Sequence, residues 1–423
     1  MDDRPFALLT RRRFWPLFVG QFLGAANDNF FKNALIMLVI YKLGGQAGME
    51  PKILATVAAG LFIAPFFLFS ALAGEMSDRF EKSRLMKTWK AAEIVISAIG
   101  AAALLAGSVP LMLAALFLLG LQSTFTGPIK YAVLPEYLKD NELIGGNALI
   151  EGGTFLAILL GTIGGGTLAL MEDGEIWVTV TMMALAIMGF AASLRLPKAH
   201  GGDRQVSIGI GLIGPNVALW RLVRGHPDLM AAILGISWFW LVGATYLTQF
   251  PAFAKDSLNA DGPVVTLMLT MFSIGIGLGS ILCGRLLKGE ISTRHVPWAA
   301  LGMSLFATDL YFAAANASGD GGPLRGLATV LATPSFWRVL ADLLAFSICG
   351  GIYIVPLYVI LQTRSAETFR ARVVAANNVA NAIFMVFSSL ACAALLAAGI
   401  GITDLFLGLA ALNLIAAWLL RRL

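Results

Sequence analysis

Residues 14–41 read FWPLFVGQFLGAANDNFFKNALIMLVIY, an apolar run about as long as a bilayer is thick, with a polar cluster at its centre. Arg13 and Lys42 flank the run, and Asp28 lies midway between them. At about 1.5 Å per residue, a helix here places the Asp28 carboxylate near the bilayer midplane. A charge at that depth costs roughly 2.5–3.5 kcal/mol and is rarely present without a partner or a task. We therefore interpret the chain as a membrane protein with a central polar site.

The polar residues of this run share one face of the predicted helix. Helical spacing relates Gln21, Gly24, Asp28 and Lys32, and Asn27 and Asn29 complete the cluster. Lys32 lies one turn after Asp28, so it can neutralise the carboxylate on the same face. A helix with such a stripe of polar and small residues faces a water-filled cavity or another helix rather than lipid.

The composition extends this interpretation to the whole chain of 423 residues. Hydrophobic residues make up 58% and charged residues 13%, and the mean hydropathy is +0.80. A soluble domain of that composition could not cover its surface with polar groups. The hydropathy pattern predicts an all-α integral membrane protein with twelve transmembrane helices. They are expected at residues 14–41, 53–74, 84–106, 108–127, 145–170, 175–195, 228–254, 263–287, 296–315, 337–361, 373–398 and 402–420.

The lysines and arginines outside the predicted spans indicate the orientation. Most lie on the side of the N-terminus, in the tail and in the loops on that side. Five lie around the loop between the second and third spans: Arg79, Lys82, Arg84, Lys87 and Lys90. Because cytoplasmic loops are enriched in these residues, both termini are predicted to be cytoplasmic. The net charge of +5 then reflects topology and contact with anionic membrane lipids, not nucleic-acid binding.

Cysteine and histidine positions predict neither a disulfide framework nor a metal centre. The three cysteines fall within predicted helices, and the three histidines fall in loops. We therefore expect no metal and no cofactor.

The longest predicted cytoplasmic connection divides six helices from six. Residues 1–196 and 228–423 are predicted to form two pseudo-symmetric six-helix bundles, joined by a linker at 197–227. Faint internal repetition supports related halves, since SALAG at 70–74 and SILCG at 280–284 are each followed by a basic turn. Two such bundles can rock about a site at the midplane. The linker, which contains a short amphipathic stretch, is interpreted as a tether on the membrane surface.

The loop between the second and third spans reads GEMSDRFEKSR at 74–84. It resembles the loop signature of the major facilitator superfamily, a glycine followed four and five residues later by Asp-Arg and then by basic residues. The resemblance implies a latch that closes the cytoplasmic side and favours the outward-facing state, with Asp78, Arg79, Lys82 and Arg84 as gating residues. A carboxylate at a helix end can bond the N-terminus of an opposing helix and a nearby arginine. The alternative is an ordinary positive-inside loop.

The fourth and fifth spans carry the most specific motifs. GPIKY at 127–131 leads to LPE at 134–136 and GNALIEGGT at 146–154. With the cluster at Asp28 and the loop at Asp78, these motifs resemble the lysophospholipid transporter family of that superfamily over nearly the whole chain. The resemblance implies movement of lysophospholipids from the outer to the inner leaflet of the bacterial inner membrane, where a cytoplasmic acyltransferase/acyl-carrier-protein synthetase reacylates them. Because some members are fused to those enzymes, the chain is expected to be either a stand-alone transporter or the transporter portion of a longer protein.

The charged residues of the spans suit such a cargo, which offers a phosphate, often an ammonium, and one acyl chain. The candidate substrate-binding residues are Asp28, Asn29, Lys32, Lys130 and Glu151. Asp28 could hold the ammonium, and Lys130 or Lys32 the phosphate, whereas Glu151 needs a cationic partner or a proton. In the alternative interpretation, Asp28 and Lys32 form a structural ion pair and Lys130 anchors a helix end.

Two further sets of residues allow both a functional and a structural interpretation. Aromatic side chains could contact the acyl chain or serve only in packing and interface belts; they are Phe30, Phe31, Phe66, Phe67, Phe69, Trp238, Phe239 and Trp240. Arg338 and Asp342 are spaced i, i+4 on the tenth span and are predicted to pair, either structurally or as a periplasmic gate.

The main alternative function is a polyspecific drug/proton antiporter of the same superfamily. Such proteins usually carry Gly-Pro-x-x-Gly-Gly in the fifth helix, whereas residues 160–165 read LGTIGG, with the glycines but not the proline. An intramembrane enzyme is disfavoured because the sequence lacks HExxH, paired aspartate motifs in the spans and a Walker loop. A scaffold or receptor that transports nothing would not need the charges at the centre of the spans, so it should tolerate neutralisation of Asp28. We therefore expect a transporter and not an enzyme.

Overall fold

In the computed structural model, almost all of the chain that the structure describes is helical. The described residues are 5–41, 51–209, 211, 214–288, 290–317 and 322–421. A 3₁₀ helix at Pro5–Thr10 precedes the first α-helix, and a π-helical turn at Phe253–Ser257 follows the eighth. The α-helices are α1 (Trp15–Tyr41), α2 (Pro51–Arg79), α3 (Lys82–Leu105), α4 (Val109–Tyr137), α5 (Asp140–Ala169), α6 (Gly174–Ser193), α7 (Gly214–Arg224), α8 (Pro227–Ala252), α9 (Gly262–Leu287), α10 (Val296–Ala317), α11 (Leu327–Ala332), α12 (Pro334–Thr363), α13 (Arg370–Ala397) and α14 (Ile402–Leu420).

Twelve of these helices are long, and each coincides with one predicted span. Eleven of them are long and apolar enough to cross a membrane. The twelfth is α1, which carries the polar cluster at its centre. The short helices α7 and α11 lie in the linker and before α12. Lys42, the expected flanking charge of the first span, lies outside the described residues.

Capping side chains and first-turn prolines stabilise the beginnings of several helices. Glu81 accepts hydrogen bonds of 2.9 Å from the backbone N–H groups of Ser83 and Arg84 at the start of α3. Glu142 accepts one of 2.9 Å from the backbone N–H of Lys139 at the start of α5. A proline stands in the first turn of α4, α8, α9 and α12, where its missing N–H costs no helical hydrogen bond. These caps satisfy donors that a helix start leaves free.

Glycines allow close approach of helices within each half. A Cβ added at Gly165 of α5 would collide with the backbone oxygen of Phe30 in α1. A Cβ at Gly279 of α9 would collide in the same way with the backbone oxygen of Ile348 in α12. Both glycines belong to GxxxG pairs, a spacing that brings helix backbones together in membranes.

The two halves meet along two seams, α2 against α13 and α5 against α9. At the first seam a Cβ on Gly74 would lie 2.7 Å from the Ala375 Cβ. At the second a Cβ on Gly152 would lie 3.2 Å from the Gly277 Cα. The first and last six long helices therefore touch through small residues.

The linker follows a path different from the expected surface tether. Its amphipathic stretch does form a helix, α7, but this helix packs against both α2 and α13 and buries Leu219 and Val223. Ala199 and Val206, which precede it, are buried as well. The tether interpretation is wrong for these residues because their apolar side chains find protein surfaces to pack against, which removes them from lipid and water alike.

Candidate functional site

Asp28 lies at the centre of α1, and its carboxylate is only partly satisfied. Ser123 of α4 donates from Oγ to Asp28 Oδ2 at 2.5 Å. Asp28 is 6% exposed, and its Oδ1 has no hydrogen-bond partner among the described residues. Because a buried polar atom without a partner is costly, Oδ1 marks a point where a cation or a donor group can bind.

Among the described residues, Lys32 forms no direct ion pair with Asp28, which is the contact expected in the structural alternative. The Lys32 Nζ donates to Asn29 Oδ1 at 3.0 Å and lies 5.7 Å from the ring centroid of Phe62. The ring of Phe62, on α2, attracts the ammonium, while Ser123 occupies one oxygen of Asp28. Asn29 therefore positions Lys32, and both charged groups retain capacity for a ligand.

A second buried network, which the sequence alone did not reveal, lies beside Asp28. Its centre is Glu93 of α3, whose Oε2 accepts from Lys90 Nζ at 2.7 Å and from Gln122 Nε2 at 3.1 Å. Asn27 Nδ2 of α1 donates to Glu93 Oε1 at 3.2 Å. All four side chains are buried, so Lys90, inside the predicted third span, contributes to the interior and not to the charged surface at the start of that span. The i, i+3 spacing of Lys90 and Glu93 was an available signal for the pair.

Glu151 of α5 lies at the junction between the two halves. The Tyr131 hydroxyl of α4 donates to Glu151 Oε1, and the Tyr131 ring stacks on Tyr358 of α12 with centroids 4.3 Å apart. Glu151 is fully buried, and its Oε2 has no hydrogen-bond partner within the described part of the chain. The Lys130 Nζ lies 4.4 Å from the ring centroid of Tyr131. The unbonded Oε2 of Glu151 and the ammonium group of Lys130 thus both lie close to the Tyr131 side chain.

Buried amides close this junction. Asn147 of α5 and Gln362 of α12 exchange two hydrogen bonds, of 2.8 and 2.9 Å, and both side chains are fully buried. Asn377 of α13 is also buried, and neither polar atom of its amide is bonded among the residues that the structure describes. The pairing of Asn147 with Gln362 has no sequence signal, since the two residues come from different halves.

Asp78, at the end of α2, lies against the first turn of α13. Its carboxylate accepts hydrogen bonds from the backbone N–H groups of Ala371 at 3.0 Å and Arg372 at 3.2 Å, and from the Arg372 Nε at 3.0 Å. This is the geometry by which an anion satisfies free donors at a helix N-terminus. The neighbouring Arg79 Nη1 donates to the backbone oxygen of Val206 in the linker at 3.2 Å.

The other two residues of the predicted latch differ in their surroundings. Lys82 forms a buried ion pair of 2.9 Å with Glu136 of α4. The side chain of Arg84 is exposed, and its backbone N–H contributes only to the cap made by Glu81. The same Glu81 accepts from the backbone N–H of Ala199 at 2.8 Å, which ties the linker to the start of α3.

Three side chains at this end of the molecule could hold a metal ion. The ligand atoms of Glu136, His200 and Glu367 all lie within 4.8 Å of one another. His200 Nδ1 is 3.2 Å from Glu367 Oε1 and 3.7 Å from Glu136 Oε2. His200 and Glu367 are exposed, and the same contacts are ion pairs when the imidazole is protonated. The expectation of no metal centre rested on the histidines lying in loops, and this group had no sequence signal because its residues are far apart in the chain.

Arg338 pairs with Asp309 of α10 and not with Asp342, so the predicted partner is wrong. The Arg338 Nε donates to Asp309 Oδ2 at 3.0 Å, and its Nη2 donates to Asp309 Oδ1. A bidentate fork onto the opposing helix offers better geometry than a neighbour on the same helix. Asp342 is instead buried, and its Oδ2 has no partner among the side chains that the structure places. All three residues belong to the second half.

Most of the aromatic side chains proposed as tail contacts serve in packing. Phe30 and Phe31 are buried, and Phe239 packs edge-on against Trp240. Trp240 also donates from its Nε1 to the Tyr358 hydroxyl at 3.2 Å. Phe67 differs, since it is 50% exposed and lines a cavity.

The sequence match to known families agrees with this arrangement of helices. A sequence profile of the Major Facilitator Superfamily matches residues 17–322, which is more than half of the chain. The chain belongs to this superfamily. The predicted fold class is thereby confirmed, as is the predicted resemblance to the superfamily.

Two bacterial relatives within the superfamily carry the same name. Lysophospholipid transporter LplT of Escherichia coli O1:K1 is 26% identical over 360 residues, which cover 84% of this chain and 81% of that protein. Lysophospholipid transporter LplT of Salmonella enteritidis PT4 is 27% identical over 364 residues, which cover 84% and 80%. The resemblance to the lysophospholipid transporter family is therefore confirmed.

A solved transporter structure shows the same fold. The human organic anion transporter MFSD10 has a TM-score of 0.74 at 14% identity, and the alignment covers 97% of this chain and 99% of that chain. At that identity the likeness concerns the fold alone. As a member of this superfamily with transporters as relatives, the chain is a transporter and not an enzyme.

Proposed function

We propose that this chain moves lysophospholipids from the outer to the inner leaflet of the bacterial inner membrane by alternating access. Relatives named LplT, matched over most of the chain, support the cargo. On this proposal a cytoplasmic acyltransferase/acyl-carrier-protein synthetase consumes the delivered lipid and keeps the inner concentration low. Both termini are cytoplasmic, as the distribution of lysines and arginines predicts.

The observation that carries the proposal is the unbonded Oδ1 of the buried Asp28 carboxylate, at the centre of α1. Its free Oδ1 is suited to an ammonium headgroup, because a charge-assisted hydrogen bond there would satisfy an otherwise orphaned acceptor. Lys32 lies one turn away and Lys130 on α4, and either can hold the phosphate. Asn29 then acts through Lys32, whose ammonium it holds at 3.0 Å.

Contacts between the halves favour the outward-facing state. Asp78 with Arg372, Tyr131 with Tyr358 and Asn147 with Gln362 are examples. Each joins helix segments on the side of the termini and the linker. Opening toward the cytoplasm requires these contacts to break, which gives Asp78 and its neighbours the role of a gate. Glu151 lies at this closed junction, where a departing headgroup would meet it. The pair of Arg338 and Asp309 lies toward the opposite side, within the second half.

The test is uptake of labelled lysophosphatidylethanolamine by spheroplasts that make the protein, with a cytoplasmic acyltransferase to trap the cargo. The wild-type protein should raise uptake above that of cells without it, and Asp28→Asn should abolish most of the increase. Asp404→Asn, at the exposed start of α14, is the matched control and should behave as the wild type.

Two results would contradict the proposal. If the folded wild-type protein gives no uptake, the alternative of a drug/proton antiporter that exports amphipathic compounds gains support. If Asp28→Asn transports normally, the transport function stands but Asp28 has a structural role only.

A further inference from the structure

Three segments that are far apart in the chain meet at Glu136, His200 and Glu367. Glu136 is the last residue but one of α4, His200 belongs to the linker, and Glu367 lies in the turn between α12 and α13. The two carboxylates therefore come from different halves, and the imidazole lies near both of them. One imidazole nitrogen and two carboxylate oxygens all lie within 4.8 Å of one another.

The spacing of these three atoms fits one small divalent ion. His200 Nδ1 lies 3.2 Å from Glu367 Oε1 and 3.7 Å from Glu136 Oε2. Tetrahedral Zn²⁺ binds imidazole nitrogen and carboxylate oxygen at about 2.0–2.2 Å, so two ligand atoms on one ion are about 3.4 Å apart. Both measured separations agree with that value to within a few tenths of an ångström. The exposed Glu367 side chain can turn to bring the two carboxylate oxygens to the same separation.

Glu136 and the backbone of His200 are held in place by contacts within the first half and the linker. The Glu136 side chain is 4% exposed, and Lys82 Nζ lies 2.9 Å from its Oε1, which leaves Oε2 toward His200. The backbone N–H of His200 donates to that Oε2 at 2.7 Å. Close by, the Tyr137 hydroxyl donates to the backbone oxygen of Pro197 at 2.6 Å, which fixes the linker to the end of α4. Partners that orient ligand side chains in this way strengthen metal binding.

We propose that Glu136, His200 and Glu367 form a binding site for a divalent transition-metal ion of the Zn²⁺ type, which holds the two halves together on the side of the termini. A donor set of one imidazole and two carboxylates suits Zn²⁺, whereas Mg²⁺ and Ca²⁺ prefer oxygen ligands alone. The side chains of His200 and Glu367 are 70% and 52% exposed, so an ion can enter from water. Water can also fill the fourth position, as it does in zinc sites with three protein ligands.

An ion at this site acts on gating because its ligands come from both halves. On the proposed alternating-access mechanism, Glu136 and Glu367 stay within reach of one ion only while the side of the termini is closed. An ion that binds the closed state alone favours that state by a factor of 1 + [ion]/Kd, about a hundredfold at a hundred times Kd. This effect on gating rests on the proposed function, whereas binding of the ion does not.

The first test measures binding of Zn²⁺ alone to the full chain in detergent, purified through an affinity tag that contains no histidine. A chromophoric chelator competes for the ion, and the three cysteines are replaced by alanine because thiolates also bind zinc. The folded protein should bind one Zn²⁺ at this site. His200→Gln and Glu367→Gln should each raise the Kd by about tenfold or more, since even the loss of a partner that only orients a ligand costs about 10–100-fold.

His226→Gln and Glu290→Gln are the matched controls, because both residues are exposed and lie outside the group. They should bind Zn²⁺ as the wild type does, and Mg²⁺ at the same concentration should not displace it. Melting temperatures check that every variant is folded. Absence of bound Zn²⁺ in the wild type, or an equal loss of affinity in group and control variants, would overturn the proposal. His200 would then form ion pairs with the two carboxylates and nothing more.

Transport in vesicles tests the effect of the ion on gating. Zn²⁺ at about a hundred times its measured Kd, on the side of the termini, should slow lysophosphatidylethanolamine transport by the wild-type protein about tenfold or more. The same concentration should leave transport by His200→Gln nearly unchanged. Equal inhibition of both proteins would overturn the bridge between the halves. If the wild-type protein transports nothing with or without Zn²⁺, the proposed function fails and the gating effect with it, while the binding measurement still decides the metal site.

Discussion

Asp78 of α2 accepts hydrogen bonds from both the backbone N–H and the guanidinium Nε of Arg372 in α13, at 3.2 and 3.0 Å. The carboxylate is buried, whereas Arg372 is partly exposed. One side chain of the first half thus satisfies donors on the second half. On the proposed alternating-access mechanism, this contact exists only while the side of the termini is closed, so its strength bears on the equilibrium between the two states rather than on the fold of either half.

We expect Asp78→Asn to weaken this closure. The amide loses the negative charge and one acceptor oxygen, and truncating one partner of a buried charged pair typically costs about 2 kcal/mol or more, roughly thirtyfold in an equilibrium. Spin labels at Asn141 and Ala366, both exposed on that side in different halves, report the closure in a background without the native cysteines. Double electron–electron resonance should show a larger population of long distances in the variant.

Asp228→Asn is the control for that measurement. Asp228 lies on the same side of the molecule and also pairs with an arginine, Arg364, at 3.2 Å, but both residues belong to the second half and are exposed. Its distance distribution should match that of the wild type. A similar shift in both variants would mean that loss of any carboxylate on this side loosens the protein, and Asp78 would have no special part in closure.

A second test concerns the amide pair of Asn147 and Gln362, which exchange hydrogen bonds of 2.8 and 2.9 Å across the halves. Gln362→Leu leaves the buried Asn147 amide without its partner, at a cost of about 1–3 kcal/mol to the closed state. The double variant Asn147→Leu with Gln362→Leu removes both polar groups and should recover part of that cost. The same spin labels measure both, and a double variant that is more open than the single one would contradict this account.

Lys90 and Glu93 provide a test of stability rather than of gating. Their ion pair of 2.7 Å is buried within the first half, so Lys90→Met strands a buried carboxylate. The loss should be about 3–5 kcal/mol and should appear as a lower melting temperature in detergent. Adding Glu93→Gln should restore much of the stability. Lys87→Met, three residues earlier on the same helix, is the control and should melt near the wild type.

The hydropathy pattern was sufficient to predict all twelve long helices, because span length and polarity are local properties of the chain. The motif around Asp78 was also sufficient to place that carboxylate against another helix. Side-chain partners were harder to predict. Lys32 donates a hydrogen bond to Asn29, Arg338 pairs with Asp309, and the linker packs against α2 and α13. Each choice depends on which helices pack side by side, and the spacing of residues within one helix does not contain that information.

The cap at the start of α3 should give the protein a local sensitivity to acid. Burial raises the pKa of the Glu81 carboxyl, but hydrogen bonds from Ser83, Ala199 and Arg84 outweigh burial and hold the pKa below its ordinary value of 4.5. A depressed pKa means that the cap stabilises the fold above the unfolded pKa and loses that effect as the pH falls through the folded pKa. Wild-type protein should therefore lose more of its melting temperature between pH 7 and pH 3 than Glu81→Gln. An equal loss in both would assign acid sensitivity to other groups.

The contact of α1 with α5 predicts a contrast between two adjacent glycines. A methyl group at Gly165 would meet the backbone oxygen of Phe30, which has no flexible end to move away, whereas one at Gly166 would have only the Met37 Cγ, at 3.8 Å. Gly165→Ala should therefore overpack the pair of helices at a cost of about 1–3 kcal/mol, and Gly166→Ala should be neutral or slightly stabilising because alanine favours the helix. Melting temperatures in detergent compare the two. Equal effects would mean that α1 and α5 can separate freely at this level, and the Asp28 site, which lies on α1, would then lack a rigid support.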